Sequence, residues 1–167
     1  QPLSIMFNAS FNKEESFFKF IMWELCVKIY VSAKFSDKER VKEVYTELKE
    51  RGHTITHEWV HNKPSYPFDV DPVFTSKCAA EDFDGVLAAD IFILLSNAEQ
   101  SMGASGELGA AIGSFLTFEK PYIYVVGPHF KTNFCFYHPA VHRVDSVEEA
   151  LHALGLVSTK AVGVQLL

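Results

Sequence analysis

The sequence of 167 residues predicts a single doubly wound α/β sandwich, in which helices cover both faces of a mostly parallel sheet of about five strands. Short apolar runs alternate with segments of helical periodicity over residues 27–155, as is typical of crossover units in a parallel sheet. Hydrophobic residues make up 48% of the chain and charged residues 22%, as in ordinary globular proteins. We therefore expect one three-layer domain with a flavodoxin-like or Rossmann-like order of strands.

The first half of this domain is predicted to contain two strands and two helices. Residues 27–33 predict a buried strand, and the capping box S-D-K-E at 36–39 predicts a helix that ends at Gly52. Residues 54–60 predict the second strand. A long loop with three prolines follows, and residues 73–89 predict the next helix. A loop of this length in a compact domain is usually functional or mobile.

The second half repeats the alternation. Residues 91–96 predict the third strand, 106–118 a helix rich in Ala and Leu, and 121–126 a fourth strand that a Gly-Pro pair stops. Residues 141–144 predict a short fifth strand, and the capping box S-V-E-E at 146–149 predicts a last helix. Ligands of doubly wound sheets bind beyond the carboxyl ends of the strands, so we expect a site at the turn after the third strand.

The two ends of the chain are predicted to lie outside this domain. Residues 1–26 form an extension, because the alternation of elements starts only at Val27, and their apolar residues have roughly the spacing of an amphipathic helix. Either the domain or a partner subunit could cover that helix. Residues 156–167 form a tail without a pattern. The odd number and wide spacing of the cysteines indicate reduced thiols in a cytoplasmic protein: Cys26, Cys78 and Cys135.

The charge of the chain restricts its partners. The formal net charge is -6 and Lys and Arg form no cluster, so nothing indicates binding to a nucleic-acid polymer or an acidic membrane. No apolar run is long enough to span a bilayer. A small anionic ligand could still bind through backbone amides and one or two cations. Aromatic residues make up 14% of the chain, which fits a thick core or a subunit interface as well as a pocket.

Glu107 is the strongest candidate for chemistry. It lies in the segment G-A-S-G-E-L-G at 103–109, directly after the apolar run at 90–96. The three glycines allow a ligand to approach the backbone. We expect Glu107 in or just before the first turn of a helix, where unpaired amides and the helix dipole favour an ionised carboxylate. Such a carboxylate suits displacement at a sugar carbon, but a Glu at this position could also only stabilise the helix start.

Two further patterns point to other chemistry. The segment H-E-W-V-H at 57–61 matches the zinc-protease motif, which works only on a helix. Its flanking residues favour a strand, where four residues span about 13 Å, too far for both histidines to bind one ion. The spacing of Gly103, Gly106 and Gly109 resembles a dinucleotide loop but lacks its G-x-G start. We predict no metal and no cofactor, and regard Trp59 as the best candidate to stack on a planar base.

Four segments in this order resemble the nucleoside 2-deoxyribosyltransferase family, whose relatives include enzymes that hydrolyse the N-glycosidic bond of nucleoside 5'-monophosphates. They are K-I-Y-V at 28–31, F-S-D at 35–37, D-F-D-G-V-L-A-A-D at 82–90 and the glycine segment at 103–109. The similarity covers about residues 27–154. It implies a transferase or hydrolase of nucleosides or nucleotides that forms a covalent ester between sugar and enzyme.

The resemblance implies three catalytic residues. Glu107 matches the nucleophile that attacks the anomeric carbon, Asp82 matches an acid near the leaving base, and Tyr30 matches a tyrosine that orients the nucleophile. These roles agree with the chemistry of glycosidic bonds, which needs one carboxylate at the sugar carbon and one group that assists departure. Sites of this family lie near subunit contacts, so a homo-oligomer is expected.

The resemblance also implies residues that bind the substrate. Ser101 stands six positions before the nucleophile, where the transferases carry an acidic residue, and a serine there resembles the monophosphate hydrolases, in which it helps to hold the 5'-phosphate. Lys34 could add positive charge for the same phosphate. Further contacts are expected from the first loop and the glycine segment: Ala33, Phe35, Gly103 and Gly106.

The first loop departs from the pattern of the monophosphate hydrolases, because it carries A-K-F-S at 33–36 in place of Gly-Ser-x-Arg. The phosphorylation state of the substrate, the base and the acceptor therefore stay open. A domain of the same fold that only binds or senses a nucleotide is the alternative, and a metal-dependent hydrolase that uses residues 57–61 is the third.

Overall fold

The chain forms a five-stranded, all-parallel sheet with the strand order β2-β1-β3-β4-β5. A computed structural model describes residues 26–61, 64–99 and 101–156. The strands are β1 (Lys28–Ala33), β2 (Thr54–Ile55), β3 (Ile91–Leu95), β4 (Tyr122–Val126) and β5 (Val141–Val144). The helices are α1 (Lys38–Glu50), α2 (Pro72–Ala88), α3 (Met102–Phe118) and α4 (Val147–Ala153). The predicted doubly wound α/β sandwich is confirmed.

The connections place a crevice between β1 and β3. These strands are neighbours, but the chain leaves β1 towards β2 on one side and leaves β3 towards β4 on the other. Right-handed crossovers then put α1 on one face of the sheet and α2 and α3 on the other. An ion pair of 2.5 Å between Arg51 and Glu148 joins α1 to α4 on the first face. The carboxyl ends of β1 and β3 therefore meet at the topological switch point, where such sheets bind ligands.

The middle of the sheet forms the core. All five side chains of β3, I-F-I-L-L, are buried, because helices cover both faces of this strand. In the register of β1 with β3, Tyr30 lies opposite Phe92, and their rings stack with centroids 5.9 Å apart. Tyr30 is completely buried, so its hydroxyl has a fixed position beneath the helices of the second face.

Helix α1 ends as predicted and begins differently. The amides of Gly52 and His53 donate to carbonyl oxygens of the last turn at 2.9 and 3.0 Å, and Gly52 has a φ of 87°, which is a Schellman cap. The predicted capping box at its start is wrong, because Phe35–Asp37 forms a 3-10 turn and the hydroxyl of Ser36 donates to Asp37 at 3.4 Å. Asp37 precedes the helix and makes no capping bond. Asp37 instead accepts a hydrogen bond of 2.7 Å from Asn97, which ties the loop after β1 to the loop after β3.

Strand β2 is much shorter than predicted. It covers only Thr54–Ile55, and a 3-10 turn forms at Trp59–His61. The indole of Trp59 donates to the carbonyl oxygen of Val31 at 2.7 Å, and Tyr45 donates to the carbonyl oxygen of His57 at 3.2 Å. These contacts bend the chain over the end of β1, so tertiary contacts override the local preference for a strand.

The predictions for the chain ends fall largely outside the described residues. This holds for the extension at 1–26, apart from Cys26, and for the tail from residue 157 onward. The last helix is confirmed, since Ser146 accepts a hydrogen bond of 3.1 Å from the amide of Glu149. None of the described helices combines the length and the apolar character that crossing a membrane requires.

Candidate active site

Glu107 lies in the second turn of α3. The helix begins at Met102 because Ser101 caps it and accepts a hydrogen bond of 3.3 Å from the amide of Ala104. The prediction that Glu107 falls in or before the first turn is therefore wrong. Its carboxylate lies beyond the unpaired amides of the helix start. Other neighbours therefore determine whether the carboxyl group is ionised.

Two hydroxyl groups from β1 hold the carboxylate of Glu107. The hydroxyl of Tyr30 donates to Oε1 at 3.0 Å, and the hydroxyl of Ser32 donates to Oε2 at 2.5 Å. Tyr30 and Ser32 are two residues apart on one strand, so their side chains lie on the same face of the sheet. Both residues are completely buried. Each carboxylate oxygen thus has its own donor, and the orientation of the group is fixed.

Burial has the largest effect on the pKa of the Glu107 carboxyl group. It raises the pKa of Glu107 to about 7, against the hydrogen bond from Ser32, with a further increase from the negative charge of Asp82 and a decrease from the bond to Tyr30. Burial and the charge of Glu107 raise the pKa of Tyr30 as well, so the phenol keeps its proton and remains a donor. A carboxyl group that titrates near neutral pH in a cleft is typical of functional sites.

Asp82 brings a second carboxyl group to the same place from α2. Its Oδ1 lies 3.3 Å from Nε2 of His57. Burial raises the pKa of Asp82, while His57 opposes this effect. The helix can approach because residue 85 is glycine. A Cβ atom there would lie 2.7 Å from Cβ of His57 and 3.0 Å from the ring of Tyr30. We call Tyr30, Ser32, His57, Asp82 and Glu107 the carboxylate cluster.

The H-E-W-V-H segment lacks the helical geometry of a zinc-protease site. Its two histidines have different neighbours, since His57 contacts Asp82 and His61 lies 3.9 Å from Glu58. Within residues 26–61, 64–99 and 101–156, no group of three or more His, Cys, Asp or Glu side chains is arranged to hold a metal ion. The segment contributes His57 to the carboxylate cluster.

A more open part of the site lies at the amino end of α3. It is a shallow pocket, open to solvent, between the ends of β1 and β3 and the loop after β4. We call it the polar pocket, and its polar lining residues are Lys34, Asn97, Glu99, Ser101, Ser105, Thr132 and Asn133. Lys34 forms an ion pair with Glu99, and Asn133 donates to the hydroxyl of Ser105 at 3.1 Å. Helix α3 joins both parts of the site, because Glu107 follows Ser105, which lines the pocket, by two residues.

The other predicted substrate contacts surround the two parts. Ala33 is buried at the end of β1, and the ring of Phe35 lies 6.0 Å from that of Trp59. Trp59 is only 7% exposed. Its stacking on a base stays a prediction. Gly103 and Gly106 are on the exposed side of α3.

Sequence reasoning missed several residues of the site. Ser32 carried a usable signal, because it is a polar residue in an apolar strand two positions after Tyr30 and therefore shares its face. The motif around His57 indicates metal ligation, and nothing in it indicates the contact with Asp82. Asn97, Glu99 and Asn133 lie in loops, where nothing in the local pattern indicates which side chains turn towards a pocket.

Comparisons with known proteins agree with the fold. A scan against protein-family models and a search of curated proteins both give no match. Among solved structures, the chain is similar to a CMP N-glycosidase, BcmB, of Clostridium botulinum, with a TM-score of 0.50 and 20% identity. The likeness covers 78% of this chain and 99% of that chain. The fold that the family resemblance implied is therefore confirmed.

Proposed function

We propose that this protein cleaves the N-glycosidic bond of a nucleoside or a nucleoside 5'-monophosphate by double displacement, with Glu107 as the nucleophile. The observation that carries the proposal is the largely buried carboxylate of Glu107, which Tyr30 and Ser32 hold in place and which lies close enough to Asp82 to be affected by its charge. The fold supports the same class of reaction, because a CMP N-glycosidase shares it.

In the first step, a carboxylate oxygen of Glu107 forms a bond to C1' of the sugar while the bond from C1' to the base nitrogen breaks. The electron pair of that bond goes to the base. Asp82 acts as the acid, because its raised pKa helps it to keep a proton that it can donate to the departing base. His57 positions Asp82 through their contact. The hydroxyls of Tyr30 and Ser32 keep the nucleophile aimed at the sugar.

In the second step, water or another base attacks C1' of the sugar ester and Glu107 leaves as a carboxylate. Asp82, now ionised, accepts the proton of the attacking group. Water gives hydrolysis, and a second base gives transfer. The preference between them depends on how well the occupied site excludes water.

The polar pocket is the proposed place for the 5' end of the substrate. Lys34 supplies a positive charge, and Ser101 lies at the start of α3, whose dipole favours an anion. The glycosidic bond would then lie over Glu107, further along the same helix. A small molecule of this kind is the proposed ligand. The homo-oligomer and the cytoplasmic location stay predictions from the sequence.

The test is release of free base from nucleosides and their 5'-monophosphates, measured by chromatography with and without an acceptor base. We expect Glu107→Gln to lower the rate at least about 10⁴-fold, because the nucleophile is lost. Glu119→Gln is the matched control, since Glu119 lies exposed at the end of the same helix. We also expect a sugar adduct on Glu107 by mass spectrometry with a slow substrate.

Two outcomes would contradict the proposal. Base release by Glu107→Gln at the rate of the unmodified protein would show that Glu107 is not the nucleophile. Tight nucleotide binding without base release from any of these substrates would favour the alternative, a domain that only binds or senses nucleotides.

A further inference from the structure

The polar pocket contains one charge of each sign. Among the described residues that line it, only Lys34 and Glu99 are charged, and they form an ion pair with each other. Lys34 follows β1 directly, and Glu99 lies in the loop after β3, so both belong to the switch point of the sheet. The positive charge that would attract an anion is thus matched by a carboxylate in the same pocket.

The position of Glu99 does not depend on its carboxylate. Its backbone amide donates to the side-chain oxygen of Asn97 at 3.0 Å, and Asn97 is in turn anchored to Asp37. The side chain of Glu99 is 74% exposed, whereas that of Lys34 is 28% exposed. The bond to Lys34 lowers the pKa of Glu99, so the carboxylate is ionised at neutral pH. Its replacement by an amide therefore removes the charge and leaves the loop contact in place.

The ion pair affects two kinds of ligand differently. A dianionic phosphate that binds Lys34 either shares its ammonium group with Glu99 or displaces the carboxylate, and in both cases it lies near that negative charge. A hydroxyl group carries no charge and meets no such repulsion. Discrimination between ligands arises from repulsive groups as well as attractive ones, and Glu99 is such a group here.

We infer that Glu99 is a specificity-determining residue, which weakens binding of a 5'-phosphate at the polar pocket relative to a 5'-hydroxyl. The inference rests on the proposed function, because that function assigns the pocket to the 5' end of the substrate. Glu99 acts on the ligand through its charge, and the bond-breaking step at C1' does not require it.

The first experiment compares kcat/KM for a nucleoside 5'-monophosphate with kcat/KM for the corresponding nucleoside. We expect Glu99→Gln to raise this ratio about fivefold, mainly through a lower KM for the monophosphate, and Lys34→Met to lower it. The effect should shrink at high salt because the carboxylate is exposed. The control is Glu47→Gln, which removes an exposed carboxylate that is paired with Arg51 on α1. An unchanged or lower ratio for Glu99→Gln would overturn the inference.

The second experiment does not depend on turnover. Titration of the same proteins with inorganic phosphate in a calorimeter should show tighter binding by Glu99→Gln than by the unmodified protein. Equal binding, including the absence of heat in both, would overturn the inference. If no substrate releases base but Glu99→Gln binds phosphate more tightly, the proposed function fails and the role of Glu99 in anion binding stands. If base is released and Glu99→Gln changes neither measurement, the inference fails and the function stands.

Discussion

The carboxylate cluster and the polar pocket lie beside each other along α3, and each contains a glutamate in an opposite environment. Glu107 is largely buried and accepts hydrogen bonds from two neutral hydroxyl groups, and its pKa rises to about 7. Glu99 is exposed and paired with Lys34, and its pKa is lowered. Burial therefore raises the pKa of one glutamate, as the proposed nucleophile requires, while pairing with Lys34 keeps the other glutamate ionised, as its inferred effect on an anionic ligand requires.

Among the variants other than Glu107→Gln that change only one of the two parts of the site, we expect the largest loss of activity from Asp82→Asn, in the carboxylate cluster. Loss of the acid should lower kcat about 10²-fold to 10³-fold with ordinary nucleosides, because the base then leaves without a proton. The loss should be much smaller with a sugar whose leaving group needs no proton, such as a nitrophenolate. Asp84→Asn is the control, since Asp84 is exposed on the same helix. Equal losses with both leaving groups would exclude Asp82 as the acid.

The stability of the protein should report the burial of Glu107. The pKa of Glu107 is higher in the folded state than in the unfolded state, so the folded state binds this proton more tightly. The resulting stabilisation of the folded state is fully present below the unfolded pKa and is lost as pH rises through about 7. The shift corresponds to about 3 kcal/mol. We therefore expect Glu107→Gln to be more stable than the unmodified protein at pH 8 and similar at pH 5, as measured by urea unfolding. Glu99→Gln should show no such gain in stability. A gain at pH 8 in that variant would show that burial is not what distinguishes the two glutamates.

The hydrogen bond from Tyr30 should influence both rate and pH profile. Tyr30→Phe removes a hydrogen-bond donor to Glu107, the proposed nucleophile, and a bond to a charged group contributes a factor of about 10 to 100. Because this bond lowers the pKa of Glu107, its loss should move the acidic limb of the profile of kcat/KM to higher pH. Tyr122→Phe, at an exposed position, serves as the control. An acidic limb at unchanged pH would show that the hydroxyl of Tyr30 does not affect the pKa of Glu107.

The carboxylate cluster also depends on the close approach of α2 at Gly85. Gly85→Ala places a methyl group against His57 and Tyr30, so it should destabilise the fold by about 1–3 kcal/mol and lower base release. Gly109→Ala meets no atom within 4 Å on α3 and should be neutral or stabilising by up to about 1 kcal/mol. Thermal unfolding measures both. Equal stability of the two variants would show that the cluster does not depend on this contact.

Much of the fold could be predicted because its signals are local. The apolar runs that form β3 and β4, the glycine that ends α1 and the serine that caps α4 each act on their own neighbours in the chain. The early start of α3, which was not predicted, depends on its local cap, Ser101. The other two errors occurred where distant residues decide. Trp59 bonds to β1 and shortens β2, and Asp37 bonds to Asn97 in place of capping α1.

The sequence alone determined which residue types were available, and its glycine segment at 103–109 singled out Glu107. The resemblance of its segments to known enzymes supported Glu107 and added Asp82 and Tyr30. It could not determine their charge. That depends on solvent exclusion and on partners such as Ser32, which is 75 residues from Glu107 along the chain, and His57. Only the tertiary structure brings these groups together, because the energy of a charge depends on what surrounds it in space, and distance along the chain does not specify those surroundings.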